Sequence, residues 1–424
     1  MHLERIMKKI LLFILLTIFV TTNLLGNSND FKLLEECSSE TADLKHINEL
    51  LRAGADVNYK YENDLTPLFA VLCTEKPNAA IVTTLIKAGA DVNFRCDGAS
   101  PLSYAIFTEK PIETIKVLIE AGADVNFEYE GISLLSYVIF AEKPNIDIIK
   151  TLIQAGADVN YKYDGLNLLL HLLSEEEPNI KIITIMLNAG ADYNYDCGNG
   201  LTPFLYALNS NNDEIIKAFI NEGADFDMIL IPNKGIMILR TEVTQAIWGS
   251  ISDRYQECID ENNLNLPMNS ISWYDAVVFC NDLSRRFGLA EVYTISGKNV
   301  AQNVSANGFR LPTEEEWEYA AKGGKNYIYS GSNNIDEIAW YSSNSSGKPH
   351  QVALKKANGY GIYDMTGNVQ EWCWNVNSNN GNNRSIRGGG WNNIADNCKV
   401  SGRDWLDYRN KSHDVGFRIV RTEK

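Results

Sequence analysis

The sequence predicts a multidomain chain of two unlike parts, an all-α repeat solenoid followed by an α+β domain rich in loops. Three observations predict it. The string Ala-Gly-Ala-Asp-Val-Asn, first met at 53–58, returns in recognisable form every 33–35 residues as far as residue 227. The formal net charge of −16 is concentrated in that stretch: residues 30–230 carry −18, and residues 231–424 carry none. From about residue 229 the period stops, and all eight tryptophans lie at or after Trp248. With 424 residues, 45% of them apolar and 22% charged, the chain has room and material for two or three domains. That composition excludes wholesale disorder, a collagen and a disulfide-dense miniprotein. One long apolar run excludes a polytopic membrane protein, and strong acidity argues against a nucleic-acid partner.

Residues 1–26 come first. Lys8 and Lys9 precede an apolar run from Ile10 to Val20 that continues to Gly26. A positive segment followed by an apolar one of this length reads as a secretory signal, so the chain is expected to be exported, to a periplasm or outside the cell. No small-x-small cleavage site is clear, and Asn27 stands where a lipoprotein signal would have cysteine. Ile10–Gly26 also reaches the lower length limit of a membrane span. An uncleaved membrane anchor is the alternative, and the membrane is a partner only in that case. The eight cysteines form no CxxC pair and show no metal-ligand spacing. Export permits disulfides, but the sequence leaves their pairing open.

The repeats follow. The string recurs at 88–93, 121–126 and 155–160, then as Ala-Gly-Ala-Asp-Tyr-Asn at 189–194 and Glu-Gly-Ala-Asp-Phe-Asp at 222–227. Thr66-Pro67, Ser100-Pro101 and Thr202-Pro203 read as helix starts, a hydroxyl capping the first free amides and a proline that has no donor to leave unpaired. A second helix is expected over 112–120 and 146–154, with Ile115, Leu118 and Ile119, or Ile148, Ile149 and Leu152, on one face. Gly122 and Gly156 then stand where a helix closes in a left-handed turn. Asp97-Gly98, Asp164-Gly165 and Asn199-Gly200 mark hairpin tips.

On this period and these caps, residues 42–227 resemble ankyrin repeats. The histidine common after Pro-Leu in that family is replaced here by Phe69, Ser103, Ser136, Leu170 and Leu205. Glu-Lys-Pro or Glu-Glu-Pro joins the two helices of four units, at 75–77, 109–111, 142–144 and 176–178. The resemblance implies protein–protein interaction and no catalysis. The acidic surface either solubilises the array or faces a basic partner. His171 and the cysteines of the array (Cys73, Cys96, Cys197) are expected to be ordinary packed residues.

The last part carries six motifs in order: Arg240–Thr244 (RTEVT), Ser272–Ala276 (SWYDA), Gly308–Ala321 (GFRLPTEEEWEYAA), Tyr360–Trp372 (YGIYDMTGNVQEW), Arg387–Trp391 (RGGGW) and Gly416–Arg418 (GFR). Thr313 is expected to cap a helix whose first turn holds Glu314, Glu315 and Glu316, and Ser272 another. Trp317, Ala320 and Ala321 make one apolar stripe, and Trp273, Ala276, Val277 and Cys280 a second. By these motifs residues 230–424 resemble the formylglycine-generating enzyme, or sulfatase-modifying factor, family. The resemblance implies a loop-rich variant of the C-type lectin fold.

The same resemblance implies a structural calcium ion, held by the side chains of Asp364 and Glu371 and the carbonyls of Gly367 and Val369. Hard oxygens within eight residues suit calcium, and a polar turn without metal is the other reading. The oxidase members of the family hold copper with two cysteines five residues apart. Here Cys398 stands at the second position and Asn393 at the first, Gly390 replaces a serine and Gln370 a tryptophan. A single thiol does not supply the thiolate pair that Cu(I) requires, so no catalytic residue is assigned. The segment forming the family's ligand pocket offers Gln370, Trp391, Asn393, Cys398, Arg403, Trp405 and Tyr408 as ligand-binding residues, for a peptide or a glycan. The expected protein is an exported binding protein, the alternative an oxidase or other enzyme using the same pocket. A purely structural cap for the repeats is a third reading.

Overall fold

A computed structural model describes residues 28–423 apart from residues 199 and 211; the expected export signal and the hairpin tip expected at Asn199 lie outside the described residues. The chain divides into two units, residues up to 168 with 189–191, and residues 169–188 with 192–424.

The first unit is built of antiparallel helix pairs. Thr66 and Ser100 accept the capping bonds expected of them, with Pro67 and Pro101 opening the helices Pro67–Cys73 and Pro101–Phe107. The second helices run Ala79–Lys87, Ile112–Glu120 and Ile146–Gln154, and Leu85, Ile115, Leu118, Ile149 and Leu152 are fully buried. Gly54, Gly89, Gly122 and Gly156 lie at φ +86° to +97° with open space around each, so conformation rather than crowding demands glycine there. A helix at Asn29–Cys37 precedes the point where the repeats were expected to begin. It lacks the Ala-Gly-Ala-Asp string but buries Leu33, Leu34 and Cys37.

The final asparagine of the repeated string joins one repeat to the next. Asn58 Nδ2 donates to the Gly89 carbonyl (2.9 Å) while its Oδ1 accepts the Asp91 N–H (2.9 Å). Asn93 does the same to Gly122 and Asp124, and Asn126 to Gly156 and Asp158. At the start of the row Asp30 stands in, accepting the Asp56 N–H at 2.7 Å. The three asparagine side chains lie on the surface and each makes two bonds worth roughly 0.5–1.5 kcal/mol. Asn126→Ala is therefore expected to cost about 1–2 kcal/mol by chemical denaturation; a loss indistinguishable from zero would show the ladder to be incidental. The Glu-Lys-Pro departure has a structural use at Lys110, which is 9% exposed and whose ammonium donates to the Thr74 carbonyl at 2.7 Å.

The second unit contains the last repeats and the C-terminal domain together. Helices Pro203–Asn209 and Asp213–Asn221 form the last pair. The string then changes from Asp-Val-Asn to Asp225-Phe226-Asp227, and each change meets the domain that follows. Phe226 lies 5.5 Å from the ring of Phe287 and 6.2 Å from that of Phe309. Asp225 pairs with Arg421 and Asp227 with Arg240. Arg286 adds a bond to the Leu208 carbonyl at 2.8 Å. Having no further repeat to bond, the last one is bonded to the domain after it.

That domain is α+β. A four-stranded sheet has the spatial order Arg403–Asp407, Asn380–Arg387, Gln370–Asn377, Val415–Gly416, the last strand parallel and the rest antiparallel. A three-stranded sheet has the order Val420–Thr422, Ile236–Leu239, Met228–Ile231. The helices Trp273–Arg286 and Glu314–Lys322 carry the caps expected of Ser272 and Thr313, and in return the Asp275 and Glu316 carboxylates accept the Ser272 and Thr313 N–H. Trp317, Ala320 and Ala321 enter the core with Ile236, Ile238, Met365 and Cys373. All eight cysteines are free thiols; Cys96 is buried, and Cys73 and Cys197 are partly so.

Candidate functional site

The end of the four-stranded sheet where Glu371, Arg387 and Arg403 stand in register opens, with Gln370 at its rim, into a cavity of about 410 Å³. Its wall is the Gly388-Gly389 turn on one side and Asp396, Asn397 and Gly402–Asp404 on the other. The turn requires glycine. Gly388 and Gly389 have φ +92° and +69°, and a Cβ on Gly389 would stand 2.5 Å from Cys398 Sγ.

Arg387 underlies this cavity. Its side chain is fully buried, pairs with Glu318 at 2.8 Å and Glu314 at 3.6 Å, and donates to the Val400 carbonyl at 2.9 Å. Its Nε and Nη1 hydrogens find no hydrogen-bond acceptor among the described residues. Arg403, exposed, reaches the same Glu314 at 3.3 Å. Gln370 is held at the rim by Asp414, which accepts from its side-chain amide at 3.2 Å. The exposed Arg403 guanidinium and the carboxylates of Asp396 and Asp404 thus line one polar space, with the buried Arg387 beneath it.

The expected ligand residues separate here. Gln370 and Arg403 line the cavity, and Cys398 lies directly beneath its glycine turn. Asn393, Trp391, Trp405 and Tyr408 are not part of that lining. Asn393 is half-buried, its Oδ1 accepting the Gly390 N–H at 2.7 Å and its carbonyl the Ser342 N–H at 3.0 Å. Trp391 is half-buried and donates to the His413 carbonyl at 3.4 Å. Trp405 is half-buried in the strand paired with Ser385, and Tyr408 lies under the Arg409 guanidinium. Arg387, Asp396 and Asn397 were missed: arginine before glycines reads as part of a motif, and nothing local marks it as buried.

Copper does not fit these residues. Cys398 is fully buried, and burial pushes its thiol up to about 12, against the thiolate that a soft metal needs. The position of a second thiol is held by Asn393, already committed to a turn.

The calcium ligand set must be corrected as well. Glu371 is 1% exposed and accepts the Nε and Nη2 hydrogens of Arg418 at 2.6 Å each, with Trp317 Nε1 at 2.7 Å. A cation at this carboxylate would face a buried guanidinium, so the set Asp364, Gly367, Val369 and Glu371 does not fit. Asp364 is differently placed: its Oδ2 accepts the Ala353 N–H at 2.7 Å, and its Oδ1 has no partner among the described residues.

Comparison with known proteins agrees with this architecture. Residues 213–423 match the sulfatase-modifying factor enzyme 1-like domain, and residues 34–129 and 136–229 match ankyrin repeats. A Paenibacillus barcinonensis protein named chaperone protein LppX is 38% identical over 222 residues, 43% of this chain and 78% of that protein. The chain belongs to the sulfatase-modifying factor family, with ankyrin repeats ahead of the family domain. The mouse inactive C-alpha-formylglycine-generating enzyme 2 is 29% identical over 176 residues, 37% of this chain and 49% of that protein, so the chain spans about half of this relative. Among solved structures, Treponema denticola variable protein 1 is 33% identical, covers 44% of this chain and 84% of its own, and superposes with a TM-score of 0.42.

Proposed function

We propose that this chain is an exported, non-catalytic binding protein, in which the ankyrin array engages a protein partner and the cavity beside Gly388-Gly389 holds a polar polypeptide segment. The observation that carries the reading is the state of the two positions an oxidase would need, Cys398 sealed beneath Gly389 and Asn393 consumed by the Gly390 amide. The inactive enzyme among the relatives supports the same conclusion.

A polypeptide suits the cavity chemically. Its carbonyl oxygens answer the exposed guanidinium of Arg403, and its amides answer Asp396 and Asp404. A relative named as a chaperone supports a polypeptide ligand over a glycan. On the array, the charge of −18 over residues 30–230 favours a basic partner, whose encounter would weaken as salt rises. Export rests on Lys8, Lys9 and the apolar run after them; sequencing the N-terminus of protein recovered from cell fractions tests it, and an intact Met1 in the cytosol would refute it.

The test of the cavity is a peptide and glycan array probed with the full chain. Arg403→Ala and Gln370→Ala are each expected to weaken peptide capture about tenfold, while Tyr408→Ala leaves it unchanged. Capture of glycans alone, or equal loss in Tyr408→Ala, would overturn the assignment.

A further inference from the structure

The asparagine ladder of the array stops one rung short. Asn58, Asn93 and Asn126 each spend their carboxamide on a glycine carbonyl and an aspartate N–H of the next repeat, and Asn160 donates to the Gly190 carbonyl at 3.3 Å. The matching rung would join Asn194 to Gly223. There the Gly223 carbonyl is taken by the Tyr193 hydroxyl at 3.3 Å, Tyr193 standing where the earlier units have Val57, Val92, Val125 and Val159. The Asn194 backbone N–H bonds to Asp192, but its exposed side chain has no hydrogen-bond partner among the described residues.

Asn194 lines a groove of about 560 Å³. Tyr193, Phe204, Phe226, Met228 and Ile247 give it apolar walls, and the charged side chains of the lining are Asp225 and Asp227. The walls are already held in place. The Phe204 N–H bonds to the Tyr193 carbonyl at 3.0 Å, the Arg240 N–H bonds to that of Asp227 at 2.9 Å, and Thr244 caps the helix Gln245–Gly249 that carries Ile247. Asp227 pairs with Arg240, yet its side chain stays 66% exposed.

A carboxamide offers one acceptor and two donors, and along this array it is spent on the main chain of the next repeat. The unspent group at Asn194 offers the same pair of bonds to the main chain of another protein. We propose that this groove binds a basic, apolar segment of a partner protein, its main chain bonded to the Asn194 carboxamide, an apolar side chain laid against Phe204, Phe226 and Ile247, and a lysine or arginine beside Asp227. The site rests on the reading of the array as a protein-binding surface and gives the partner its place at the last junction. Charge complementarity selects the occupant: the −18 over residues 30–230 repels an acidic segment, and the lining adds two carboxylates without a basic side chain. With the walls held by backbone bonds, little ordering remains to be done on binding.

The experiment follows the fluorescence anisotropy of a labelled hexapeptide of alternating lysine and leucine. It is added to the full chain carrying Arg403→Ala, so that capture in the cavity beside Gly388-Gly389 is suppressed. The peptide should bind, and more weakly as salt rises. Hexapeptides alternating lysine with serine, or glutamate with leucine, should bind about tenfold more weakly. Adding Asn194→Ala should weaken capture of the first peptide about tenfold, the worth of two main-chain hydrogen bonds. The melting midpoint should not move with that substitution, because Asn194, unlike Asn126, bonds to no neighbouring repeat. Full capture with Asn194→Ala, a lowered midpoint in that variant, or equal capture of either control peptide would overturn the site while leaving the array a protein-binding surface. No capture of the lysine–leucine peptide even at low salt would overturn both.

Discussion

Replacing Arg418 by methionine should lower the stability of the C-terminal domain by about 3–5 kcal/mol, read from urea unfolding followed by tryptophan fluorescence. Arg418 and Glu371 are 0% and 1% exposed and meet through two bonds of 2.6 Å. Methionine fills much of the same volume, so the loss would not be a cavity effect. It would come from leaving Glu371 charged and unanswered in the interior, with the carbonyls of Leu239, Arg240 and Tyr363 losing their donor. The double substitution Arg418→Met with Glu371→Leu removes both charges and should recover part of the loss. A cost under about 1 kcal/mol for the single substitution would place the pair in effective contact with solvent.

The second large effect is expected at Phe226. This side chain is 8% exposed and lies among Phe204, Phe287 and Phe309, at ring distances of 5.7, 5.5 and 6.2 Å. Phe226→Ala should cost about 3–5 kcal/mol, the range for deleting a buried aromatic ring. Its signature is more specific than its size. Every tryptophan lies in the C-terminal domain, so fluorescence reports that domain alone. A substitution in the last repeat that moves the fluorescence midpoint shows the two to unfold together. Phe287→Ala should be less than additive with it, since each ring loses the other's contact. A fluorescence midpoint untouched by Phe226→Ala, with only far-ultraviolet dichroism altered, would mean that the repeats and the domain are independent.

The solenoid was legible because its code is local and repeated. Glycine at a positive φ, a hydroxyl before proline and a fixed step are each decided within a few residues. The helix Asn29–Cys37 escaped because it opens the row, where Asp30 replaces the usual asparagine and no glycine string marks it. The change to Asp225-Phe226-Asp227 was visible as a departure, yet its meaning depends on Phe287, Phe309, Arg240 and Arg421, all distant in sequence.

In the domain, the caps at Ser272 and Thr313 and the stripe of Trp317, Ala320 and Ala321 could be read from spacing alone. The charged interior could not. Glu371 looks like a loop ligand until its partner is seen to be Arg418, 47 residues away. Glu242, in a short polar motif, reads as a surface residue although it is fully buried. Asn393 resembles a free recognition group, and only the Gly390 amide shows that its side-chain oxygen is already taken. Aromatic residues drew attention to Trp391, Trp405 and Tyr408, while the cavity itself is lined by glycines and charged side chains.

The most direct test of the central claim is to incubate the full chain with copper, oxygen and a captured cysteine-containing peptide, then measure the mass of that peptide. A binding protein with one sealed thiol and Asn393 at the first cysteine position returns the peptide unaltered, whatever the metal added. Oxygen-dependent conversion of the peptide's cysteine to an aldehyde, lost in Cys398→Ser, would contradict the account and restore the chain to the oxidases of its family.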